Sequence, residues 1–235
     1  MLRLLYGWYL AFLGWIDDRI GISDVVRSQL TEYKVPANLN FWHSLGGLAV
    51  FIFVLQVSTG IFLLMYYVPS AERAFESVKY ITEEVPYGWL YRRVHSIGAS
   101  GMVLIVILHM VSVMFYGSYK KPREMNWVSG FILLNFVLVI CLTGYLLPWS
   151  QLSYWATTVA TNVPGAIPII GDDLVTFIRG SEDVGEVTLM RFFALHVTAI
   201  PAALAVFIGA HIFLLRRTGI SEPGATSNDK KSNKK

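Results

Sequence analysis

The sequence has little charge for its length. Lys, Arg, Asp and Glu make up 15% of the 235 residues, whereas 54% are hydrophobic and the formal net charge is +3. An ordinary soluble domain carries about 25% charged residues. The composition therefore favours an integral membrane protein, and the small net charge together with the lack of nucleic-acid motifs argues against a nucleic-acid partner.

Cysteine is nearly absent as well. Cys141 is the one cysteine and lies in an apolar segment, which excludes a disulfide framework and a Cys-x-x-Cys-His site for covalent c-type haem. The opening residues, MLRLLYGWYLAFLGWIDDRIG, lack a small-residue cleavage site. We expect an uncleaved amphipathic segment over residues 1–40 that lies along the membrane surface.

Four segments supply the roughly 20 apolar residues that a membrane-spanning helix needs. They are predicted at Ser44–Tyr67, Val94–Tyr116, Trp127–Leu147 and Phe192–Leu215. Prolines and glycines interrupt the connection between the third and fourth spans, which favours short surface helices there over a fifth span.

The orientation of the spans follows from the basic residues near their ends. Lys120, Lys121 and Arg123 lie between the second and third spans, and Arg216 and Arg217 follow the fourth. The other two connections are rich in Asp and Glu. By the positive-inside rule, both termini face the cytoplasm or its equivalent, so the second and fourth spans run parallel.

Two of the spans each carry a pair of histidines. His95 and His109 are 14 residues apart in the second span, and His196 and His211 are 15 apart in the fourth. These intervals return each pair to nearly one helix face, separated by about 21 Å along the axis. Because the two spans are parallel, the histidines form an outer and an inner pair, each suited to hold a b-type haem through two imidazoles.

The other two spans carry glycines at the same interval. Gly46 and Gly60 are 14 residues apart in the first span, as are Gly130 and Gly144 in the third. A residue without Cβ lets a flat ring approach the backbone, so we expect one glycine from each helix beside each haem. Alternative roles are proton-path or structural histidines and glycines that serve helix packing.

Several long segments resemble the cytochrome b family of quinol–cytochrome c and quinol–plastocyanin reductases. They read RRVHSIGASGMVLIVILHM, KKPRE, TGYLLPWSQ, AIPIIGDDLV and TLMRFFALHVTAIPAAL. The 15-residue interval in the fourth span and the ending RRTGISEPG are similar to the short cytochrome b6 form, in which a separate subunit supplies the remaining helices. The implied fold class is all-α integral membrane. It is a four-transmembrane-helix bundle over residues 41–220 that encloses two haems, with amphipathic surface helices at the N-terminus and in the last connection, and a polar, disordered tail over 221–235.

The resemblance also implies roles for individual residues. His95 and His196 match the ligands of the outer haem, and His109 and His211 match those of the inner haem. Arg92 matches a basic residue beside a haem propionate. Arg123 and Arg216 are candidates for a similar role at the inner haem or inner quinone pocket, and positive-inside anchoring explains these two almost as well. The wall of the outer quinol-oxidation pocket is matched by Trp149, Tyr154, Trp155 and Ala156, for which an interfacial aromatic belt is the alternative.

Two positions differ from the short form. Ser44 stands where that form often has a cysteine bound to a third haem, and a serine forms no thioether, so a covalent third haem is not expected. Ser150 stands where the short form commonly has Asp, which brings this stretch nearer to the mitochondrial type. The neighbouring His43 has no assigned role, and an interfacial or proton-handling function is possible for it.

The function implied by the resemblance is that of an electron-transfer subunit of a quinol:cytochrome c or quinol:plastocyanin oxidoreductase. Electrons would cross the membrane from an outer quinol-oxidation site to an inner quinone-reduction site, with proton release outside. Implied partners are a Rieske iron–sulfur protein, a c-type cytochrome, the separate helix-bearing subunit, quinone, lipid and a second copy in a homodimeric complex. The expected location is a bacterial plasma membrane or a photosynthetic membrane.

Two other functions are compatible with paired histidines. One is a di-haem membrane anchor that connects quinol to an attached oxidoreductase without splitting its two electrons. The other is a non-catalytic scaffold or ion path in which the histidines carry protons. The stretch LPWSQLSYW and the surface helices after it favour electron bifurcation, and a b-type absorption band would exclude the scaffold.

Overall fold

The computed structural model describes residues 2–21, 23, 24, 27, 32 and 40–220. Contacts divide the chain into two units, Met1–Asn38 and Leu39–Lys235. The described residues form helices and turns without a strand, which confirms the all-α prediction. The predicted tail, 221–235, lies outside the described residues, as does most of the segment 22–39.

Among the described residues of the first unit, helix α1 spans Leu2–Ile20. Its aromatic side chains are largely exposed, with Trp8 at 78% and Trp15 at 54%. The Arg19 guanidinium lies 4.2 Å from the centre of the Trp15 ring. Exposed tryptophans beside a cation are typical of helices at a membrane interface, and the surface location of this segment stays a prediction.

The second unit begins with the first of four long apolar helices. In chain order its helices are α2 Phe41–Leu64, α3 Ala74–Glu83, α4 Gly88–Phe115, α5 Glu124–Leu146, α6 Gln151–Asn162, α7 Gly171–Arg179 and α8 Glu186–Thr218. Among the described residues, α2, α4, α5 and α8 are long and apolar enough to cross a membrane. The four predicted spans are therefore confirmed, with ends that differ by up to six residues.

Capping side chains explain where two of these helices begin. The Asn40 side-chain oxygen accepts a hydrogen bond from the backbone N–H of Trp42 at 3.1 Å, which starts α2. At α6, Ser150 and Ser153 form a reciprocal capping box, with distances of 3.2 and 2.9 Å. The serine at position 150 thus has a local structural use.

The fourth span differs most from its prediction. It begins at Glu186 and contains a π-helical turn at Leu195–Ala199, which includes His196. Pro201 lies two residues after this turn, and a proline has no N–H to donate to the preceding turn. A π-helical turn accommodates this break without ending the helix. The predicted start at Phe192 was therefore too late.

The helices of the second unit pack in two pairs. α2 packs mainly on α4, and α5 mainly on α8, while the backbones of α4 and α8 hardly approach each other. Met102, Val137, Ile200 and Leu204 form a buried apolar layer between the pairs. Each histidine-bearing helix therefore lies against a glycine-bearing helix, and the two histidine-bearing helices stay apart.

Candidate functional site

The outer histidines come together between α4 and α8. The ring centres of His95 and His196 are 6.2 Å apart, and the ring planes are inclined at 78°. A metal–imidazole bond is about 2 Å long, so one metal ion bound to a nitrogen of each ring fits this separation. The two side chains are those that the sequence predicts as the outer pair.

The inner histidines lie on the same two helices, further along each chain direction. His109 faces Gly46 of α2, and His211 faces Gly130 of α5. The order of the two pairs is the same on α4 and on α8, and the buried layer around Met102 and Ile200 lies between the helix pairs. Four imidazoles on two helices thus occupy two levels.

Each of the four interval glycines faces one of the histidine rings. A Cβ added to Gly46 would lie 3.2 Å from Cε1 of His109, and one added to Gly60 would lie 3.3 Å from Cε1 of His95. The corresponding distance from Gly130 to His211 is 3.4 Å. Ordinary Cβ contacts are rarely so short, so the missing side chain makes room for the imidazole.

Gly144 makes the closest of these approaches. An added Cβ would overlap Cε1 of His196 and lie 2.9 Å from its Nδ1 and 3.0 Å from its Nε2. Each interval glycine thus has a histidine ring as a close neighbour, most closely in the case of Gly144. The approach of these glycines to a haem stays a prediction.

Hydrogen bonds fix which nitrogen carries the proton in three of the histidines. Nδ1 of His196 lies 2.9 Å from the carbonyl oxygen of Ile140. A carbonyl oxygen accepts but cannot donate, so Nδ1 must be protonated in the neutral ring. Its Nε2 then keeps a free lone pair, which is the form that binds iron.

The same reasoning applies to His95 and His211. The hydroxyl of Thr59 donates to the Leu55 carbonyl at 2.8 Å and lies 2.9 Å from Nδ1 of His95. The hydroxyl of Ser129 donates at 2.9 Å to a backbone carbonyl of its own helix and lies 2.7 Å from Nδ1 of His211. Because each hydroxyl proton is used, the oxygen accepts from the ring, and Nε2 stays free.

These hydroxyl residues were missed in the sequence, although a signal was present. Thr59, Ser129 and Thr143 each directly precede one of the interval glycines. Thr143 lies 3.4 Å from Nδ1 of His196, a longer distance than the other two contacts. Leu45 occupies the fourth such position and is fully buried. A hydroxyl before a glycine that faces an imidazole is a pattern that a sequence search could use.

The residues of this site fit a b-type haem in each layer. Paired imidazoles with free Nε2 lone pairs are suitable axial ligands, and glycine backbones leave the space that a side chain would fill. Hydrogen bonds at Nδ1 orient ligands of this kind and make them more basic. The chemistry of the donor set and the separation of α4 from α8 both agree with this cofactor.

The predicted arginines have different surroundings. Arg92 is exposed and donates to the Thr82 hydroxyl at 3.2 Å, three residues before His95. Arg123 donates through Nε to the carbonyl oxygen of Gly219 at 3.0 Å, so part of its guanidinium stabilises the end of α8. Arg216 lies in the last turn of α8.

The residues predicted as a pocket wall lie close together at the start of α6, and their role as a pocket wall stays a prediction. Trp149 has a φ of 50°, a backbone conformation that is uncommon outside glycine, and its ring packs at 86° against that of Tyr154, 5.8 Å away. Trp155 is 58% exposed and donates to Gln151 at 3.1 Å. Ala156 is half-buried on the same helix. The rings of Trp149 and Tyr154 therefore pack edge to face, and we call this pair the aromatic corner.

A tyrosine outside the predicted set supports this corner. Tyr67 donates its hydroxyl to the carbonyl oxygen of Leu147 at 2.8 Å, two residues before Trp149. Burial raises the pKa of Tyr67 well above its ordinary value of 10.0. No motif signalled this contact, because its partners are separated by 80 residues in the chain.

The fold and its paired histidines define a four-span, all-helical membrane protein with imidazoles at two levels. The family model described as Cytochrome b/b6/petB matches residues 30–219, and the chain belongs to the cytochrome b/b6 family. It is an integral membrane, haem-binding electron-transfer subunit of the cytochrome bc type.

Individual relatives agree with this assignment. Cytochrome b6 of Synechocystis sp. is 44% identical over 209 residues, which cover 89% of this chain and 94% of the relative. Cytochrome b6 of Synechococcus elongatus is 42% identical, with coverage of 89% and 97%. A chain in the solved structure of a hyperthermophilic respiratory Complex III matches with a TM-score of 0.85 and 40% identity. The match covers 93% of this chain but 58% of that one.

Proposed function

We propose that this chain carries electrons across the membrane between an outer quinol-oxidation site and an inner quinone-reduction site. The observation that carries the proposal is the placement of histidines at two levels on α4 and α8. At each level, one glycine of α2 and one of α5 face the histidine rings. Bound haem supplies one-electron redox chemistry at each layer. The protein sets the depth of each site, its ligands and its exclusion of water.

Each layer has its own ligands and its own supporting contacts. His95 and His196 hold the outer haem, supported by Thr59 and by the Ile140 carbonyl. His109 and His211 hold the inner haem, with Ser129 as the hydrogen-bond partner of His211. Because the histidines on each helix are separated by about 21 Å, the two sites are distinct, and an electron must pass between them to cross the membrane.

The aromatic corner after α5 forms one wall of the outer quinol pocket. Trp149, Tyr154, Trp155 and Ala156 present apolar surface at the outer ends of the spans. An apolar cavity binds the quinol ring and keeps water away while one electron leaves to an iron–sulfur protein and the other enters the outer layer. Arg92 lies within one turn of His95, where its guanidinium would pair with a haem propionate. Arg123 and Arg216 serve the inner side similarly.

The implied partners complete a bc-type complex. We propose a Rieske iron–sulfur protein, a c-type cytochrome, quinone and lipid as partners, within a homodimeric complex. The chain spans 58% of the length of its Complex III counterpart. As the resemblance to the short cytochrome b6 form implies, we propose that a separate subunit supplies the remaining helices. The termini face the cytoplasm of a bacterial plasma membrane, or the equivalent side of a photosynthetic membrane, and the final acceptor is a c-type cytochrome or plastocyanin.

Purified complex should reveal whether the two electrons of quinol separate. With the iron–sulfur acceptor oxidised, a limiting quinol pulse should reduce one acceptor for each b-type haem reduced. A membrane anchor without bifurcation would reduce b-type haem whether or not the acceptor is oxidised, with no fixed ratio. Two b-type components per chain in the reduced-minus-oxidised spectrum are expected, and a preparation without any b-type band would overturn the proposal.

A further inference from the structure

A polar cluster that the proposed function does not use lies at the start of α2. Asn40 caps this helix, and its side chain also contacts His43 and Tyr116. Its amide nitrogen donates to the Tyr116 hydroxyl at 2.9 Å, and its oxygen lies 2.8 Å from Nδ1 of His43. The rings of His43 and Tyr116 are 4.7 Å apart at 39°. The imidazole is therefore held on two sides.

The helix cap fixes the protonation of this histidine. The Asn40 oxygen accepts from the backbone N–H of Trp42, which establishes which end of the amide group is the oxygen. An amide oxygen accepts only, so Nδ1 of His43 must donate to it. In the neutral ring, Nε2 is then an unprotonated acceptor.

That acceptor is buried without a partner. Nε2 of His43 has no hydrogen-bond partner in the part of the chain that the structure describes. A buried acceptor left unsatisfied costs free energy that a hydrogen-bond donor would recover. Nε2 of His43 can therefore accept one hydrogen bond, from a donor that the described residues do not supply.

The cluster lies at the inner histidine layer. Gly46, one turn after His43, faces His109. Ser112, which follows His109 on α4, donates to the Trp42 carbonyl at 3.1 Å. The start of α2 and the end of α4 thus meet at the membrane side where the proposed function has quinone reduced.

We infer that Nε2 of His43 accepts a hydrogen bond from a hydroxyl group of the quinol at the inner site. The inference rests on the proposed function. Quinone takes up two electrons and two protons to become quinol, and only the reduced form carries the hydroxyl donors. Neutral His43 therefore binds the product more tightly than the substrate, which favours reduction at this site. No proton moves to or from His43 in this binding step.

A metal ion fits the cluster less well than a quinol. His43 offers a single lone pair, beside the tyrosine ring at 4.7 Å. One acceptor next to an aromatic face suits a small ring with a hydroxyl group.

Inner-site binding can be measured separately from outer-site oxidation. The whole complex is first treated with ascorbate, which reduces the iron–sulfur acceptor and so blocks oxidation at the outer site. Duroquinol is then added, and electrons reach the inner haem from the inner site. The duroquinol concentration that half-saturates inner-haem reduction is compared in the parent complex and in variants, together with total b-type haem content.

His43→Leu is expected to raise the half-saturating duroquinol concentration about tenfold, as expected for loss of one buried hydrogen bond. His43→Gln, whose side-chain oxygen accepts a hydrogen bond, should recover most of this loss. Ser44→Ala is the matched control, because Ser44 is an exposed neighbour whose hydroxyl donates to the Phe41 carbonyl, and it should behave like the parent.

Three results would overturn the inference. The first is an unchanged half-saturating concentration in His43→Leu with both haem components intact. The second is selective loss of the inner haem from both His43 variants, which would make His43 a support of that haem. The third is loss of an additional haem signal present in the parent, which would make His43 a metal ligand. If the parent itself shows no inner-haem reduction after ascorbate treatment, the proposed inner site fails, and this inference fails with it.

Discussion

The backbone of Gly144 lies directly against the imidazole of His196. An added Cβ would overlap Cε1 and lie 2.9 Å from Nδ1, so the helix α5 leaves no space for a side chain at this position. The same backbone is the one predicted to lie beside the outer haem. The contact also makes the ligand orientation in the outer layer depend on one residue of a neighbouring helix.

Gly144→Val should therefore disturb the outer haem selectively. The branched side chain would displace the His196 ring, and overpacking of this kind typically costs about 1–3 kcal/mol. Low-temperature spectra and redox titration of isolated membranes should show a lost or shifted outer component, with the inner component retained because Gly130 is unchanged. Gly209→Val is the control, since no atom lies within 4 Å of an added Cβ there. An unchanged outer haem would contradict the role given to Gly144.

His211→Leu should remove the inner haem and leave the outer one. Each layer has its own two imidazoles, and the layers are about 21 Å apart. The measurement is the reduced-minus-oxidised spectrum of the assembled complex. If both components disappeared from a folded and assembled complex, the pairing of His211 with His109 would be wrong.

Ser129→Ala should raise the midpoint potential of the inner haem. The serine oxygen accepts from Nδ1 of His211 at 2.7 Å, which makes the imidazole a stronger electron donor and stabilises oxidised iron. Its loss should shift the potential upward by roughly 30–60 mV, where about 59 mV corresponds to a tenfold change for one electron.

Ser58→Ala is the matched control for that titration, because the Ser58 hydroxyl donates to the Val54 carbonyl of its own helix at 2.9 Å. Its inner potential should equal that of the parent. A downward shift in Ser129→Ala, or equal shifts in the two variants, would contradict the assigned hydrogen bond.

Tyr67→Phe should lower stability by about 1 kcal/mol at neutral pH, the typical value for one hydrogen bond. Folding raises the Tyr67 pKa above its ordinary value of 10.0 because the side chain is buried. The stabilisation is therefore fully present below pH 10.0 and decreases as the pH rises above it, since the unfolded chain then loses this proton more readily.

The thermal midpoint of haem loss, measured in detergent from pH 7 to 11, tests this. The parent complex should exceed Tyr67→Phe at pH 7, and the difference should shrink above pH 10. A constant difference over the whole range would show that the Tyr67 proton is not involved.

We predict that no haem is covalently attached at position 44, because the hydroxyl of Ser44 forms no thioether. After denaturing electrophoresis, the polypeptide should show no haem stain, while Ser44→Cys offers the thiol that attachment requires. A stained band at the size of the unmodified chain would contradict this expectation.

The architecture was largely predictable from local sequence properties. Apolar runs identified the four spans, because span length depends on bilayer thickness alone. Span ends were less predictable. The start of α8 at Glu186 depends on a π-helical turn before Pro201, and α3 lay within a connection that gave no strong apolar signal.

The sequence by itself determined that the histidines lie at two levels along α4 and α8. The tertiary structure decided which residues contact each imidazole. The 14- and 15-residue intervals place two histidines on one face of a helix, since helical periodicity is a property of a single segment. The partners of each imidazole come from other helices: Thr59 for His95, and the Ile140 carbonyl for His196. So does the contact of Tyr67 with Leu147. Such contacts depend on how helices rotate and cross when they pack, which no periodicity along one chain segment encodes.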